Sequence, residues 1–383
     1  MAKRRTFGMV RRTGSGRWQA SYLDQVSRER INAPTTFETK ADASRWLATV
    51  ESDLGRGVIL DPRLGERVFE EWAAEWMAGL HVKPKTRLGY DAALRNHVLP
   101  AFGRLPVNQI TYRHCKGFID QLLGRGLAPG SAAASRNVLR LVLREAMRND
   151  AITRNPADGI RIPRGERQEM QFLTPDEIND LAHEISHPPR SQRHQQKTYE
   201  EYGLLVRVAA WSGLRAGEIG ALRVGRVEPT TGRLEVAESV GEIRGELVYG
   251  PPKTYSRRSV ALPNPLAEEL LTHVDTLGRT DPTSLVFRAP MGGPLRHGGF
   301  FRRHFKPAVV RAELDTRTRF HDLRHTAAAL MIAEGAHLLT VKERLGHSTI
   351  KVTADRYGHL FPSLEEDLTV RLGRSYETAT RRS

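Results

Sequence analysis

The chain has very little cysteine and no long hydrophobic run. Cys115 is the only cysteine among 383 residues, so no disulfide can form within the chain and zinc sites built from paired cysteines are excluded. The longest apolar run, residues 327–333, is far short of the roughly 20 residues that a membrane span requires. The basic start, Met1–Arg12, has no apolar core after it and therefore does not match a signal peptide. We expect an intracellular, soluble protein without a membrane partner.

Acidic residues are scarce relative to basic ones. The chain contains 59 Lys and Arg against 44 Asp and Glu, which gives a formal net charge of +15. An excess of this size favours a polyanionic partner, and nucleic acid is the usual one. The alternative is a basic surface that serves solubility alone, and charge by itself does not separate the two.

Residues 1–60 predict a small folded module with a basic face. Six basic residues precede the first acidic residue, Asp24. Short β-branched and aromatic runs around turn residues predict three strands followed by one helix. The predicted elements are Val10–Arg12, Trp18–Leu23, Ile31–Phe37 and the helix Lys40–Leu54. A three-stranded sheet of this kind can enter a DNA major groove, and Arg11 and Arg12 are candidate DNA contacts.

Residues 66–162 predict an all-helical domain. Trp72 and Trp76 have helical spacing, which favours a place in the core over a stacking platform for bases. A further helix is expected to end before Pro100, because proline interrupts the helical hydrogen bonds. The proline- and charge-rich stretch Asn155–Gln168 predicts a linker.

The segment Ser131–Asn149 predicts a helix with a ridge of arginines on one side. These arginines follow one another at intervals of four residues and are Arg136, Arg140, Arg144 and Arg148. Like charges at this spacing repel one another by a few tenths of a kcal/mol per pair, roughly, and a phosphate backbone would remove that cost. The ridge is therefore a candidate DNA contact. A solvated face whose arginine stems cover the core is the alternative.

A third domain is expected to occupy residues 170–383. The string Thr174-Pro-Asp-Glu177 has the pattern of a helix start with a capping box. Helices, then three strand-like segments, then more helices follow. The whole chain therefore predicts a mainly helical α+β fold: an N-terminal sheet with a helix, an all-helical domain, and a mostly helical domain with a small antiparallel sheet.

The last third of the chain carries residues suited to attack on a phosphodiester. In chain order they are Arg215, Lys253, His321, Arg324, His347 and Tyr357. Two guanidiniums can hold the non-bridging oxygens where charge develops. A phenol can serve as the nucleophile, while a lysine or histidine moves protons.

The local frames give some of these residues a predicted setting. Gly213 is expected to end a helix in the left-handed conformation, and Glu218 is placed to orient Arg215. Lys253 is expected to project from a hairpin turn between two strands.

A metal site is the main alternative for the string His321-Asp-Leu-Arg-His325. Two histidines four residues apart resemble a zinc-binding helix. However, Asp322 is shorter than the usual glutamate, and Arg324 would place a cation on the face that must hold the metal. We therefore predict no metal and no other cofactor, and keep a metal-dependent nuclease as an alternative.

In combination, several motifs resemble those of a tyrosine recombinase of the phage-integrase type. They are Ser212-Gly-Leu-Arg-Ala-Gly-Glu218, His321-Asp-Leu-Arg-His-Thr326 and Leu345-Gly-His-Ser348 with a tyrosine downstream. The segment His97–Gly103 and the helix after Gly130 resemble the family's core-site DNA-binding domain. The first 60 residues resemble its arm-type domain, which implies a lambda-like, three-domain integrase.

The resemblance implies a role for each candidate. Tyr357 would attack the scissile phosphate and form a 3′-phosphotyrosyl link, which stores the bond energy without ATP or metal. Arg215 and Arg324 would clamp the phosphate, and Lys253 would protonate the leaving oxygen. His321 would assist proton transfer at the tyrosine, and His347 would form a hydrogen bond with the phosphate. The gap from His347 to Tyr357 is one residue longer than in many relatives, which on a continuous helix would rotate the phenol by about 100°, so a loop or an altered helix start must absorb the extra residue.

It also implies partners and a location. The partners would be double-stranded DNA attachment sites, with four protomers on two synapsed duplexes, a DNA-bending host factor and an excisionase. The location would be a bacterial host's cytoplasm, at the nucleoid. A topoisomerase IB-like relaxing enzyme and a DNA-binding regulator without catalysis are the remaining alternatives.

Overall fold

The structure is a computed structural model of the chain. It describes residues 7–23, 28–55, 62–163, 165, 169–189, 196–252, 257–276 and 281–361, and seven positions between 369 and 380. The chain forms two compact units, Met1–Arg167 and Gln168–Ser383. Within the described ranges, no helix has the length and apolarity to cross a membrane.

The first unit begins with a three-stranded antiparallel sheet and one helix, as predicted. The elements are β1 Met9–Arg12, β2 Trp18–Leu23, β3 Arg30–Asn32 and α1 Lys40–Gly55, with strand order β1-β2-β3. Tyr22 and Leu47 are buried in their shared core. The third strand is shorter than expected, because Pro34 has no N–H to extend the ladder. Phe37 forms only an isolated bridge with Trp18.

The rest of the first unit is helical, as predicted, and has its own apolar core. Its helices are α2 Pro62–Glu66, α3 Phe69–Ala78, α4 Pro84–Ala93, α5 Leu99–Phe102, α6 Tyr112–Gly124 and α7 Pro129–Arg148. Trp72 is 2% exposed and Trp76 is 9% exposed, which confirms their place in the core. The expected stop at Pro100 is wrong: a π-helical stretch, Leu94–Val98, joins α4 to α5, whose first turn contains the proline. Proline is tolerated in a first turn.

The stretch after α7 is not simply a linker. Ile160 is 2% exposed and belongs to the same apolar core as α7. The Asn155 side chain donates to the carbonyl of Arg140 at 2.8 Å. The predicted linker is therefore wrong for its first half, where apolar residues between the prolines pack against α7.

Between residues 175 and 357 the described part of the second unit contains nine further α-helices. They are α8 Pro175–Ser186, α9 Gln196–Ser212, α10 Ala216–Ile219, α11 Asn264–Thr276, α12 His297–Phe300, α13 Lys306–Arg311, α14 Asp322–Ala333, α15 Leu338–Leu345 and α16 Ile350–Tyr357. The predicted capping box at α8 is confirmed: Thr174 Oγ1 accepts from the N–H of Glu177, whose carboxylate accepts from the N–H of Thr174.

Two small antiparallel sheets lie between α10 and α11. One pairs β4 Leu234–Val236 with β7 Arg258–Val260, and the other pairs β5 Ser239–Ile243 with β6 Glu246–Gly250. In the described residues, the strands on either side of Lys253 pair elsewhere, β6 with β5 and β7 with β4. The hairpin turn expected at Lys253 stays a prediction. Lys253 itself lies outside the described residues.

The last three helices bring the C-terminal motifs together. Helix α15 ends at Gly346, which has a positive φ of 64°, and α16 begins only at Ile350. The predicted break between His347 and Tyr357 is therefore confirmed. Tyr357 is the last residue of α16 and packs in a small apolar cluster with Val341 and Leu345.

Candidate active site

Arg324 is the buried centre of the candidate active site. It lies in the first turn of α14 and is 2% exposed. One terminal nitrogen donates to the carbonyl of Gly213 at 2.6 Å, and the other donates to the carbonyl of Leu345 at 2.5 Å. A guanidinium has five N–H groups, so three remain for a ligand while the two carbonyls hold the plane in place.

The turn at Gly213 explains how the first carbonyl reaches Arg324. Gly213 follows α9 with a φ of +71°, which confirms the left-handed cap. A Cβ added there would lie 2.6 Å from Leu345 and 3.2 Å from Ala327. Only glycine therefore fits both the backbone conformation and the space.

Arg215 is held by a buried carboxylate that a second arginine shares. Its Nη1 donates to Glu218 at 2.8 Å, and its Nη2 reaches the carbonyl of Gly346 at 3.4 Å. The predicted Arg215–Glu218 pair is therefore present. Arg258 of β7 donates to both oxygens of the same carboxylate, at 3.1 and 2.6 Å, and to the carbonyl of Arg344 at 2.9 Å.

The site carries a surplus of positive charge. Arg215 and Arg258 pair with the carboxylate of Glu218, and Arg324 also interacts with its charge, so this group of three guanidiniums and one carboxylate has a surplus of two positive charges. Burial tends to raise the pKa of Glu218, but the bonds from Arg258 and Arg215 outweigh it and hold that pKa below its ordinary value. Burial and then the charge of Arg215 lower the pKa of Arg324 to about 9. A bound anion would offset this repulsion.

His347 stands beside these arginines in a neutral form. Its Nδ1 lies 2.9 Å from the hydroxyl of Thr353, and its ring is stacked on that of Tyr357 with centroids 6.3 Å apart. Burial, followed by repulsion from Arg324 and Arg215, lowers the pKa of His347 to about 3. A neutral imidazole whose Nδ1 accepts from Thr353 has its N–H on Nε2, where it can donate to a phosphate oxygen.

His321 occupies the N-cap position of α14 without a side-chain capping bond, and it is exposed, unlike Arg324 three residues later. Its ring meets that of His325 edge-on, with centroids 4.9 Å apart. Loss of water from the side that packs against the site, followed by repulsion from Arg324 and Arg356, lowers the pKa of His321 to about 4.

Tyr357 is completely buried, and its hydroxyl is held by a histidine. The phenol oxygen lies 2.7 Å from Nδ1 of His325. Burial raises the pKa of Tyr357, and the nearby charges of Arg324, Arg356 and Arg215 act against that rise. The phenol is therefore protonated at neutral pH, and it lies within the field of both predicted phosphate-binding arginines.

Five of the six predicted catalytic residues thus lie in one region of the second unit. Lys253 is the exception, because it lies outside the described residues. Three residues that bond to the candidate catalytic residues or their partners were not predicted from the sequence: Arg258, His325 and Thr353. His325 was considered only as a metal ligand, and nothing in the local sequence signals the long-range partners of Arg258 and Thr353.

The described residues contain no group of three or more His, Cys, Asp or Glu positioned to hold a metal ion. Asp322, the carboxylate between the two histidines, is buried and has both oxygens bonded by Arg319. Nδ1 of His325 already bonds the phenol.

Three of the four arginines in the α7 ridge already have partners within the protein. Arg136 donates to the carbonyl of Ile160 at 2.7 Å, and Arg140 pairs with Asp158. Arg148 lies 3.8 Å from Glu145 in the same helix. No hydrogen bond or ion pair joins Arg144 to another described residue.

The two arginines predicted for the N-terminal sheet, Arg11 and Arg12, are both exposed on β1. The side chain of Arg12 donates to the carbonyl of Gly16 at 3.3 Å. Their contact with DNA, like that of the ridge, stays a prediction.

Three family models match the chain. The model described as the phage integrase family matches residues 171–363, which include the whole candidate site. The phage integrase N-terminal domain matches residues 6–56, and the phage integrase N-terminal SAM-like domain matches residues 68–123.

The relatives match most or nearly all of the length. The putative prophage phiRv2 integrase of Mycobacterium tuberculosis is 28% identical, covering 98% of this chain and 97% of the relative. The ICEBs1 integrase of Bacillus subtilis is 26% identical, covering 95% of this chain and 98% of the relative. A protein named tyrosine recombinase XerC-like, from Caldanaerobacter subterraneus, is 24% identical over 88% of this chain and 89% of the relative.

Solved structures share the fold. The Tn1549 transposon integrase in complex with transposon right end DNA matches with a TM-score of 0.67 at 18% identity, covering 80% of this chain and 99% of that one. A lambda integrase dimer bound to a COC′ core site matches with a TM-score of 0.57 at 18% identity, covering 92% and 96%. The fold is that of the DNA integrases. The chain belongs to the phage integrase family of tyrosine recombinases, as its motifs indicated.

Proposed function

We propose that this chain is an integrase that cleaves and rejoins DNA at specific sites through a 3′-phosphotyrosyl intermediate, and thereby integrates or excises a mobile element. The observation that carries the proposal is the surplus of buried positive charge around Arg324, next to a buried phenol. A phosphodiester brings one negative charge and develops a second as the nucleophile adds. Two fixed guanidiniums with free N–H groups can stabilise both charges, and they are in place before the reaction starts.

The proposed reaction uses the residues in the following order. The phenol oxygen of Tyr357 bonds to phosphorus as its proton passes to the histidines at the start of α14, where the family motif gives this role to His321. Arg215 and Arg324 hold the non-bridging oxygens, and Nε2 of His347 donates to one of them. The bond from phosphorus to the 5′ oxygen breaks. That oxygen takes a proton from Lys253, a role that rests on the family motif. Attack by a 5′-hydroxyl on the phosphotyrosine reverses each step.

Because the phosphotyrosyl link keeps the energy of the broken bond, this reaction requires no cofactor. We further propose three functional domains: residues 1–60 binding arm-type DNA sites, residues 66–162 binding core sites, and residues 170–383 carrying catalysis. The separate apolar cores of the first two and the three matched family models support this division.

The proposed partners are two double-stranded attachment sites brought together by four protomers. A lambda integrase tetramer bound to a Holliday junction shares this fold with a TM-score of 0.56, which supports a tetramer here. A DNA-bending host factor and an excisionase complete the proposed set. The proposed location is the bacterial nucleoid.

The test is capture of the covalent intermediate. A duplex is first enriched from a random pool by binding to the full chain, and is then synthesised in a series with a nick at each successive position. When the nick lies just beyond the cleaved bond, the short 5′-hydroxyl fragment diffuses away and religation stops. We expect an SDS-resistant protein–DNA adduct in excess EDTA, and it should contain a label placed at the 5′ end of the cleaved strand, because the protein is linked to the 3′ phosphate of that upstream fragment.

The Tyr357→Phe variant should bind the same duplex with unchanged affinity and form no adduct. Val341→Ala, from the same apolar cluster, is the matched control for loss of packing and should still form it. An adduct that persists in Tyr357→Phe would contradict the assignment. Cleavage that stops in EDTA would favour the metal-dependent nuclease. No adduct from the wild type at any nick position would favour a regulator without catalysis, and relaxation of any supercoiled plasmid regardless of sequence would favour the topoisomerase.

A further inference from the structure

The hydroxyl of Tyr357 is bonded to a histidine to which the family motif had given no catalytic role. Nδ1 of His325 lies 2.7 Å from the phenol oxygen, and both side chains are buried, His325 at 5% exposure and Tyr357 at none. Among the described residues this is the one hydrogen bond of the phenol. His325 directly follows Arg324 in the first turn of α14, so one rigid helix carries both groups.

The direction of this hydrogen bond follows from the burial of the phenol. Because burial raises the pKa of Tyr357, the phenol keeps its hydrogen, and a buried hydroxyl hydrogen requires an acceptor. Nδ1 of His325 is the acceptor in reach. Burial and then the neighbouring His321 lower the pKa of His325 to about 4, so its ring is neutral at pH 7 and Nδ1 has a free lone pair.

His321, the residue that the motif suggests for this proton, is placed differently. It is exposed, and its ring contacts the edge of the His325 ring with centroids 4.9 Å apart. His325 therefore lies between His321 and the nucleophile. A proton that leaves the buried phenol meets His325 first.

We propose that His325 is a catalytic residue, the base that accepts the phenol proton at Nδ1 when Tyr357 attacks the phosphate. The inference rests on the proposed function and deepens it. As the oxygen–phosphorus bond forms, the O–H bond of Tyr357 breaks and its proton passes to Nδ1. On religation the phosphorus–phenol bond breaks, and His325 returns the same proton to the departing oxygen.

Several charged and titratable groups act on this pair. His321, Asp322 and Arg319 act on His325 from the start of α14 and the turn before it, and Arg356 acts on it from α16. Asp322 works against the others by favouring a protonated ring. A phosphodiester bound at Arg324 would add a further negative charge that raises the basicity of His325 when it is required.

The test compares His325→Asn with the wild type in single-turnover adduct formation on the nicked duplex, from pH 6 to pH 9.5. Asparagine keeps a short polar side chain but cannot take the proton. A general base typically contributes 10²–10⁴-fold, so the adduct rate at pH 7 should fall by at least about 10²-fold. The variant's rate should then rise about tenfold per pH unit, because hydroxide must remove the proton. The wild-type rate should change far less.

Two further measurements separate proton transfer from a structural role. A fluorinated tyrosine at position 357, whose phenol is more acidic, should restore much of the rate of His325→Asn. With DNA that has sulfur in place of the bridging 5′ oxygen, the leaving group needs no proton from Lys253. If the wild-type rate on that substrate is slower in D₂O than in H₂O, the difference reports transfer of the phenol proton alone.

His183→Asn, at an exposed histidine of α8, is the matched control and should behave as the wild type. If His325→Asn forms the adduct at the wild-type rate with the same pH dependence, the inference is overturned and the proposed function stands. If the wild type forms no adduct, the proposed function fails. Should His325→Asn not fold, equal wild-type rates in H₂O and D₂O on the sulfur-containing DNA overturn the inference without any variant.

Discussion

Replacing Glu218 with glutamine removes the one negative charge that holds two arginines of the site together. Four hydrogen bonds reach this carboxylate in the described structure: the backbone N–H and Nη1 of Arg215, and two terminal nitrogens of Arg258. Its side chain is 1% exposed, and that of Arg258 is 7% exposed, so water cannot substitute for it. A glutamine has a single acceptor oxygen, and its NH₂ group must then face a guanidinium.

The loss of stability expected for Glu218→Gln follows from this geometry. Removing one partner of a buried ion pair typically destabilises a protein by about 3–5 kcal/mol, because a charge is left buried without compensation. For a unit of the size of Gln168–Ser383, each kcal/mol shifts the melting temperature by about 2–4 °C. We therefore expect Glu218→Gln to lower the melting temperature of this unit by roughly 6–20 °C.

The effect should depend on pH in a defined direction. The pKa of Glu218 is lowered in the folded protein, so its contribution is fully present above the pKa of an unfolded glutamate. It is lost as the pH falls through the lower, folded value. The difference in melting temperature between the wild type and Glu218→Gln should therefore be constant near neutrality and shrink in acid.

Differential scanning calorimetry of the full chain measures this prediction. Glu235→Gln is the matched control, because Glu235 pairs with Arg226 at the surface and both side chains are about two-fifths exposed. A pair of that kind contributes about 0–1 kcal/mol. A shift in Glu218→Gln no larger than that in Glu235→Gln would refute the argument that the buried carboxylate organises the site.

The remaining predictions concern Thr353 in the candidate site and two arginines of the α7 ridge. The hydroxyl of Thr353 lies 2.9 Å from Nδ1 of His347 and, when it donates there, keeps the imidazole N–H on Nε2. Thr353→Val removes this hydrogen bond and should slow adduct formation roughly tenfold without loss of DNA binding. Because the pKa of His347 is about 3, the loss should be the same from pH 6 to pH 9, and a loss that disappears at high pH would contradict the tautomer argument. Arg144→Gln should reduce the slope of log affinity against log salt by about one if Arg144 meets a phosphate. Arg136→Gln should lower thermal stability and leave the slope unchanged, and the reverse outcome in binding measurements would contradict both assignments.

The sequence predicted what depends on short spacing. Arg215 and Glu218 form the expected pair three residues apart, and the capping box at Thr174 and the helix end at Gly213 are confirmed. In each case the partner lies within one helical turn or the conformation is forced by glycine. Local spacing is enough to determine such features.

Partners far along the chain were not predictable in this way. Arg258 reaches Glu218 across 40 residues, and it does so because β7 pairs with β4 rather than with β6. A strand pattern indicates a strand but not the strand with which it pairs. The spacing of the arginine ridge likewise found the helix but not the carbonyl of Ile160 that holds Arg136.

The acceptors that hold Arg324 are both main-chain oxygens, those of Gly213 and Leu345. No substitution can delete a peptide oxygen, so changes in the side chains around the pocket leave both acceptors of Arg324 in place. The position of these two oxygens is instead sensitive to substitution at the turns that carry them. There Gly213 and Gly346 tolerate no added methyl group without strain. We therefore expect sequence change in this pocket to be restricted at these two glycines, which take no part in the chemistry, as well as at the side chains that do.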